Sequence, residues 1–187
     1  MNKGALYPSG RPTDDAVQLA ASDGRFLCGD LDIRIDRDGV WYYHGSPIAR
    51  KELVCLFSSL LAMDKAGAYW LVTPREMGRV RVDDAPFMAV ELFSAGGGQD
   101  RVLSFRTNVD EVVRVDRDHP ILVVTNPETG EPSPYVTLHG RMRAKLVRPV
   151  YYELVDMGLE ETINNENVYG VWSSGAFFPI GTVDPDG

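Results

Sequence analysis

Cysteine is scarce: Cys28 and Cys55 are the two in 187 residues, set in the unlike surroundings FLCGD and LVCLF. Two such residues build neither a disulfide framework nor a cysteine-rich zinc site. Two buried, reduced thiols are expected instead. Long apolar runs are also missing. The longest, Leu53 to Met63, is too short and too interrupted by serine to span a bilayer. The opening stretch MNKGALYPSGRPTDDAVQLAASDG contains no continuous apolar segment of signal-peptide length, so the expected compartment is the cytoplasm. Positive charge is in deficit. With 19 Lys and Arg against 27 Asp and Glu, the net charge is -8, which argues against general nucleic-acid binding.

Catalytic signatures are absent as well. There is no serine elbow, no His-Glu zinc helix and no cysteine nucleophile with a local signature. The glycine loop from Ala95 to Gly98 has no following Lys-Ser or Lys-Thr and reads as a hairpin rather than a phosphate cradle. Asp36-Arg37-Asp38-Gly39 starts like a calcium loop but lacks the downstream ligands and the bidentate glutamate. Neither a metal nor a cofactor is expected, and an enzyme is the less favoured reading.

What is present is an ordinary globular composition, 44% hydrophobic, 25% charged and 10% aromatic, in a chain long enough to bury a core as one domain or two small ones. The chain is organised around Gly39 to Phe57, GVWYYHGSPIARKELVCLF. Residues 1–22 mix Gly, Pro, Ser and Asp with a short helical turn near Ala16 to Ala21 and are expected to form a flexible arm. From Asp30, LDIRI, the turn DRDG and VWYYH predict a hairpin. Ser46-Pro47 then predicts a helix start, with Ser46 as N-cap and Pro47 at the first position. Ile48, Leu53, Leu56, Phe57, Leu60 and Leu61 form its apolar stripe. YWLVT and RVRV follow as strands, the valines of RVRV inward and Arg79 and Arg81 outward. Asp83-Asp84-Ala85-Pro86 marks a boundary between an N-terminal α+β domain over 23–85 and a C-terminal domain over 86–187. The latter opens as a run of strands: FMAVELF, VLSFRT, VVRV, ILVV, YVTLH and RMRAKL. A helix is predicted from about Pro149 to Glu161.

The two halves echo each other. Val136 to Val155, VTLHGRMRAKLVRPVYYELV, sets His139-Gly140 opposite His44-Gly45, Arg148 opposite Arg50, Leu154 opposite Leu56, and Val168-Tyr169 opposite Tyr69-Trp70. The fold class is therefore α+β with an internal duplication, antiparallel sheets each packed by one helix. The segments CGDLDIRIDRDGVWYYHGSPIARKELV, YWLVTP, VDDAP, FRTNVDE, DHPI and PYVTLHGRMRAKLVRPVYYELV resemble a proteobacterial family known only as domain of unknown function 1285, over nearly everything from Cys28 to about Glu161. The resemblance implies a duplicated α+β protein whose C-terminal part is a small pleckstrin-homology-like barrel with one end plugged by the Pro149 helix. It also implies a role in signal transduction, and supplies no catalytic residues.

Candidate site residues follow from the repeat. His44 and His139 end strands just before glycine, where an imidazole either braces the turn or meets a ligand. Arg50 and Arg148 sit near helix N-termini, where the macrodipole disfavours a cation unless something anionic offsets it. An internal carboxylate, or a carboxylate or phosphate of a ligand, would serve. Arg141, Arg143 and Lys145 alternate, so an unbroken strand would put them on one face with His139, with Met142, Ala144 and Leu146 facing the core. Trp41 and Tyr151 flank these positions. The favoured reading is a non-enzymatic binding or sensory module with a site at the interface of its halves for a small anionic ligand or a protein partner. A purely structural or interaction module, and an enzyme working through His44 or His139, are the alternatives.

Overall fold

The computed structural model describes residues 24–163 and 165–182; the arm expected over 1–22 lies outside them. The chain divides into two compact units between Pro86 and Phe87.

The first unit is one six-stranded sheet and a helix. Strand β1 (Phe26–Ile35) turns at Asp36, whose Oδ1 accepts the backbone N–H groups of Asp38 (3.0 Å) and Val40 (2.9 Å). This side-chain mimic of a backbone turn leads into β2 (Trp41–Tyr43). His44 and Gly45 then take left-handed φ values of 46° and 75°. That turn folds Ser46–Pro47 back as β3, pairing with Tyr42 and Tyr43. The helix expected at Ser46-Pro47 is thereby displaced. Pro47 lies on an edge strand, where its missing N–H breaks no ladder, and α1 (Lys51–Ser59) begins later with Arg50 at an N-cap lacking any side-chain bond.

After α1 come β4 (Leu61–Met63), β5 (Tyr69–Val72) and β6 (Glu76–Val82). The sheet order is β3-β2-β1-β6-β5-β4, with β1 parallel to β6 and its other ladders antiparallel. One face is the core: Ile33, Ile35, Trp41, Leu61, Leu71 and Val80 are buried there, and Phe57 of α1 stacks on Trp41 at 6.4 Å between ring centroids. The other face carries a smaller cluster, Trp70 and Met77 with Leu27, Ala68 and Val72 against them. Both cysteines, Cys28 and Cys55, are half-buried rather than buried, and neither forms a disulfide among the described residues.

The second unit begins with the meander β7 (Phe87–Ala95), β8 (Val102–Thr107) and β9 (Val112–Arg114), the glycine loop forming its first hairpin. A second meander follows, β10 (Ile121–Thr125), β11 (Pro132–Thr137) and β12 (Arg143–Leu146). Parallel pairing of β12 with β7 joins them in the order β10-β11-β12-β7-β8-β9. Helix α2 (Arg148–Asp156) is next, then the three-stranded sheet of β13 (Leu159–Ile163), β14 (Glu166–Ser173) and β15 (Ala176–Thr182).

Among the described residues no sheet closes, which corrects the expected barrel. Parallel pairing of β7 with β12 makes β9 and β10 the outer strands of this sheet, and β10 runs beside β15 of the small sheet. Helix α2 packs on β7 and β14, and its buried Val150 and Leu154 join the core of Phe87, Phe105, Val136 and Phe178. The helix stops at Asp156, so Leu159 to Glu161 are strand.

The small sheet is fastened to the large one by polar contacts in a buried setting. Ser173 Oγ accepts the Leu103 N–H (3.0 Å) and donates to Val115 O (2.7 Å). Ser173→Ala would orphan the Leu103 N–H, and a loss of about 1–3 kcal/mol is expected in urea unfolding.

The duplication is visible in chain order. The series β1-β2-β3-α1-β4-β5-β6 recurs as β10-β11-β12-α2-β13-β14-β15, each with a meander, a helix and a second meander. Tyr69-Trp70 and Val168-Tyr169 both fall in the central strand of the second meander. Strands β7–β9 are the part without a counterpart in the first unit.

Candidate functional site

Strands β1 and β6 of the first unit carry alternating charge: Asp30, Asp32 and Arg34 on one, Arg79 and Arg81 on the other. Their parallel register sets Asp30 beside Arg79 and Arg34 beside Arg81, so these side chains share the face opposite α1. The register shifts between these pairs, giving β1 two more residues than β6 over the same span. Asp32 lies inside that bulge in a left-handed conformation, φ 54°. Bulges of this kind re-aim side chains, and strained residues are held only where the surroundings over-determine them.

A cleft of about 580 Å³ opens along this face, its rim shared by Asp30, Asp32, Arg34, Arg79 and Arg81. Beyond Arg34 and Arg81 the surface continues into a second hollow of about 670 Å³ with Asp36, Asp38 and Asp83 on its walls. The guanidinium of Arg34 donates through Nε to Asp83 Oδ2 at 2.9 Å and through Nη2 to the same oxygen, and Arg81 Nε is 3.3 Å from Asp83 Oδ1. The hydrogen bond from Arg34 holds the Asp83 carboxyl below the ordinary aspartate range. Arg34 also lies over the Tyr42 ring, 5.8 Å from its centroid.

Arg79 differs. Half-buried in the same cleft, its guanidinium has no carboxylate partner among the described residues, and it forms no ion pair with Asp30 next to it. A cation with unused donors on a concave face suits an anionic group.

The residues singled out from the sequence are dispersed. Trp41 belongs to the core, 1% exposed. His44 Nδ1 lies 2.5 Å from Asp32 Oδ2, both exposed, and this pair ties the His-Gly turn to the cleft rim. Arg50 is exposed at the start of α1. In the second unit the strand from His139 is broken: His139 to Arg141 form a 3-10 turn with Gly140 and Arg141 at φ 60° and 63°. His139 Nδ1 is 3.0 Å from Glu111. The expected shared face is therefore reduced to Arg143 and Lys145, which lie over the Tyr135 ring at 6.0 and 5.9 Å. Met142, Ala144 and Leu146 face the core as the alternation requires. Arg148 Nη2 reaches Glu131 at 3.2 Å in an exposed pair. Tyr151 donates to Ile180 O at 3.4 Å, and burial raises its phenol pKa.

None of these eight positions lines the arginine cleft itself. The residues missed, Arg34, Arg79 and Asp30, had a readable signal in the charges alternating along both strands; the parallel pairing that unites them did not.

Comparison with known proteins places the chain. The pattern described as "Domain of unknown function (DUF1285), N-terminal domain" matches residues 26–85, and "Protein of unknown function (DUF1285), C-terminal domain" matches residues 86–180. Among curated proteins none matches. A DUF1285 family crystal structure from Silicibacter pomeroyi is 43% identical, covering 85% of this chain and 84% of that one with a TM-score of 0.78. Another, from Shewanella baltica, is 27% identical, covering 66% and 90% with a TM-score of 0.53. With both halves matched, the chain belongs to the DUF1285 family, whose biochemical function is not established.

Proposed function

We propose that the protein is a non-enzymatic binding module, of the kind used in signal transduction, that receives an anionic group of a small ligand or partner in the cleft of its first unit. The observation carrying this reading is Arg79, a half-buried guanidinium without a carboxylate partner among the described residues, in a concave face shared with Arg34 and Arg81. Asp83 holds those two flanking arginines in place, which leaves Arg79 as the cation available to an incoming carboxylate or phosphate. The His44–Asp32 pair braces the rim of the cleft and, on this reading, acts through that rim rather than on the ligand.

Inorganic pyrophosphate is a suitable probe at low ionic strength, where an anion site is least screened. It is expected to raise the thermal midpoint of the full chain in a concentration-dependent way. Arg79→Gln should abolish that rise while leaving the unliganded midpoint nearly unchanged, and Arg148→Gln should leave it intact. A rise that survives Arg79→Gln, or no rise at all, would overturn the assignment.

A further inference from the structure

The cleft offers charge of both signs. Asp30 is exposed and lies beside Arg79 in the β1–β6 register, and its carboxylate has no hydrogen-bond or ion-pair partner among the described residues. Two opposite charges on neighbouring positions of parallel strands would normally close on each other if nothing else directed them. Here they do not, and the bulge that follows Asp30, with Asp32 at φ 54°, sets the course of β1 past this point. Asp32 adds a second carboxylate to the same rim, although one of its oxygens already faces His44. The cleft thus has a guanidinium side and a carboxylate side, each with unused hydrogen-bonding capacity.

Resting on the anion-binding reading above, we infer that the ligand is a zwitterion, with an anionic carboxylate or phosphate for Arg79 and an ammonium or other cationic N–H donor, a few atoms away, for Asp30. A ligand of one sign would leave one wall facing a like charge or nothing. A molecule carrying both satisfies each wall with a charge-assisted hydrogen bond. The chain's excess of negative charge points the same way, because the ammonium lowers the ligand's net negative charge and with it the repulsion by the overall field.

The test uses a matched pair of probes, O-phosphoethanolamine and ethyl phosphate, which share the phosphate monoester and the two-carbon chain and differ in the ammonium. By isothermal titration on the full chain, phosphoethanolamine is expected to bind about 10-fold more tightly, the effect of one charge-assisted hydrogen bond. Asp30→Asn should erase that preference by weakening phosphoethanolamine, and should tighten ethyl phosphate or leave it unchanged. Arg79→Gln should weaken both esters, with Arg79→Lys retaining part of the binding as a check that the variant is folded. Equal affinity for the two esters in the wild-type chain, or an Asp30→Asn variant that binds both more tightly, would overturn the zwitterion while leaving the anion site standing. Failure of both esters to bind the wild-type chain would overturn both.

Discussion

Trp41→Ala is expected to cost about 3–5 kcal/mol of stability, the range for deleting a fully buried large aromatic. Trp41 is 1% exposed, pairs in register with Ile35, and receives Phe57 of α1 on its ring, so truncation opens a cavity where sheet and helix meet. The indole also has a peculiarity. Its Nε1–H is buried without a hydrogen-bond partner among the described residues, and a buried orphan donor is itself destabilising. Trp41→Phe removes the orphan while keeping most of the ring. Its cost should be about 1 kcal/mol or less, the small cavity offset by the relieved donor. Urea unfolding of the two variants separates these values. An unfolding loss for Trp41→Phe close to that of Trp41→Ala would show that the indole N–H is satisfied in solution.

A second pair of variants measures how far the two copies have diverged. Leu56 and Leu154 align in the repeat and each lies within its helix, yet Leu154 is 0% exposed and Leu56 55%. Leu154→Ala is expected to cost about 2–5 kcal/mol, and Leu56→Ala within about 0.5 kcal/mol of zero. The cause is local. In α1 only Ser58 is buried, and Leu53, Val54, Cys55 and Phe57 are half-buried, so that helix lies on its sheet by one edge. In α2, Val150 and Leu154 are buried, as are Val171, Phe178 and Ile180 of the small sheet. Comparable losses in both variants would mean that α1 is covered in solution.

Much of the architecture was legible because it is local. Alternation marked β1, β6 and β12; DRDG marked the first hairpin; Met142, Ala144 and Leu146 face inward as their spacing requires. The family was legible from longer strings, and the duplication from the His-Gly pairs. What failed depended on competition or distance. Ser46-Pro47 carries good helix-start chemistry, but the left-handed turn at His44-Gly45 claimed it for an edge strand. The barrel failed because β7 pairs with β12, more than fifty positions away, and no periodicity announces a parallel partner. The arginine cleft was hidden for the same reason. Arg79 and Arg81 could be placed on the outer face, but their neighbours Asp30 and Arg34 come from across the whole unit.

That same pairing also governs how the first unit can form. Its first strand, β1, is completed by its last, β6, so the sheet stays in two fragments, β1-β2-β3 and β4-β5-β6, until the chain has been made as far as Val82. Closure over so long a loop is entropically costly and slow compared with hairpin formation. During synthesis the edge of β1 must therefore wait unpaired on the nascent chain, and the cleft comes into being only in the final, closing event of folding.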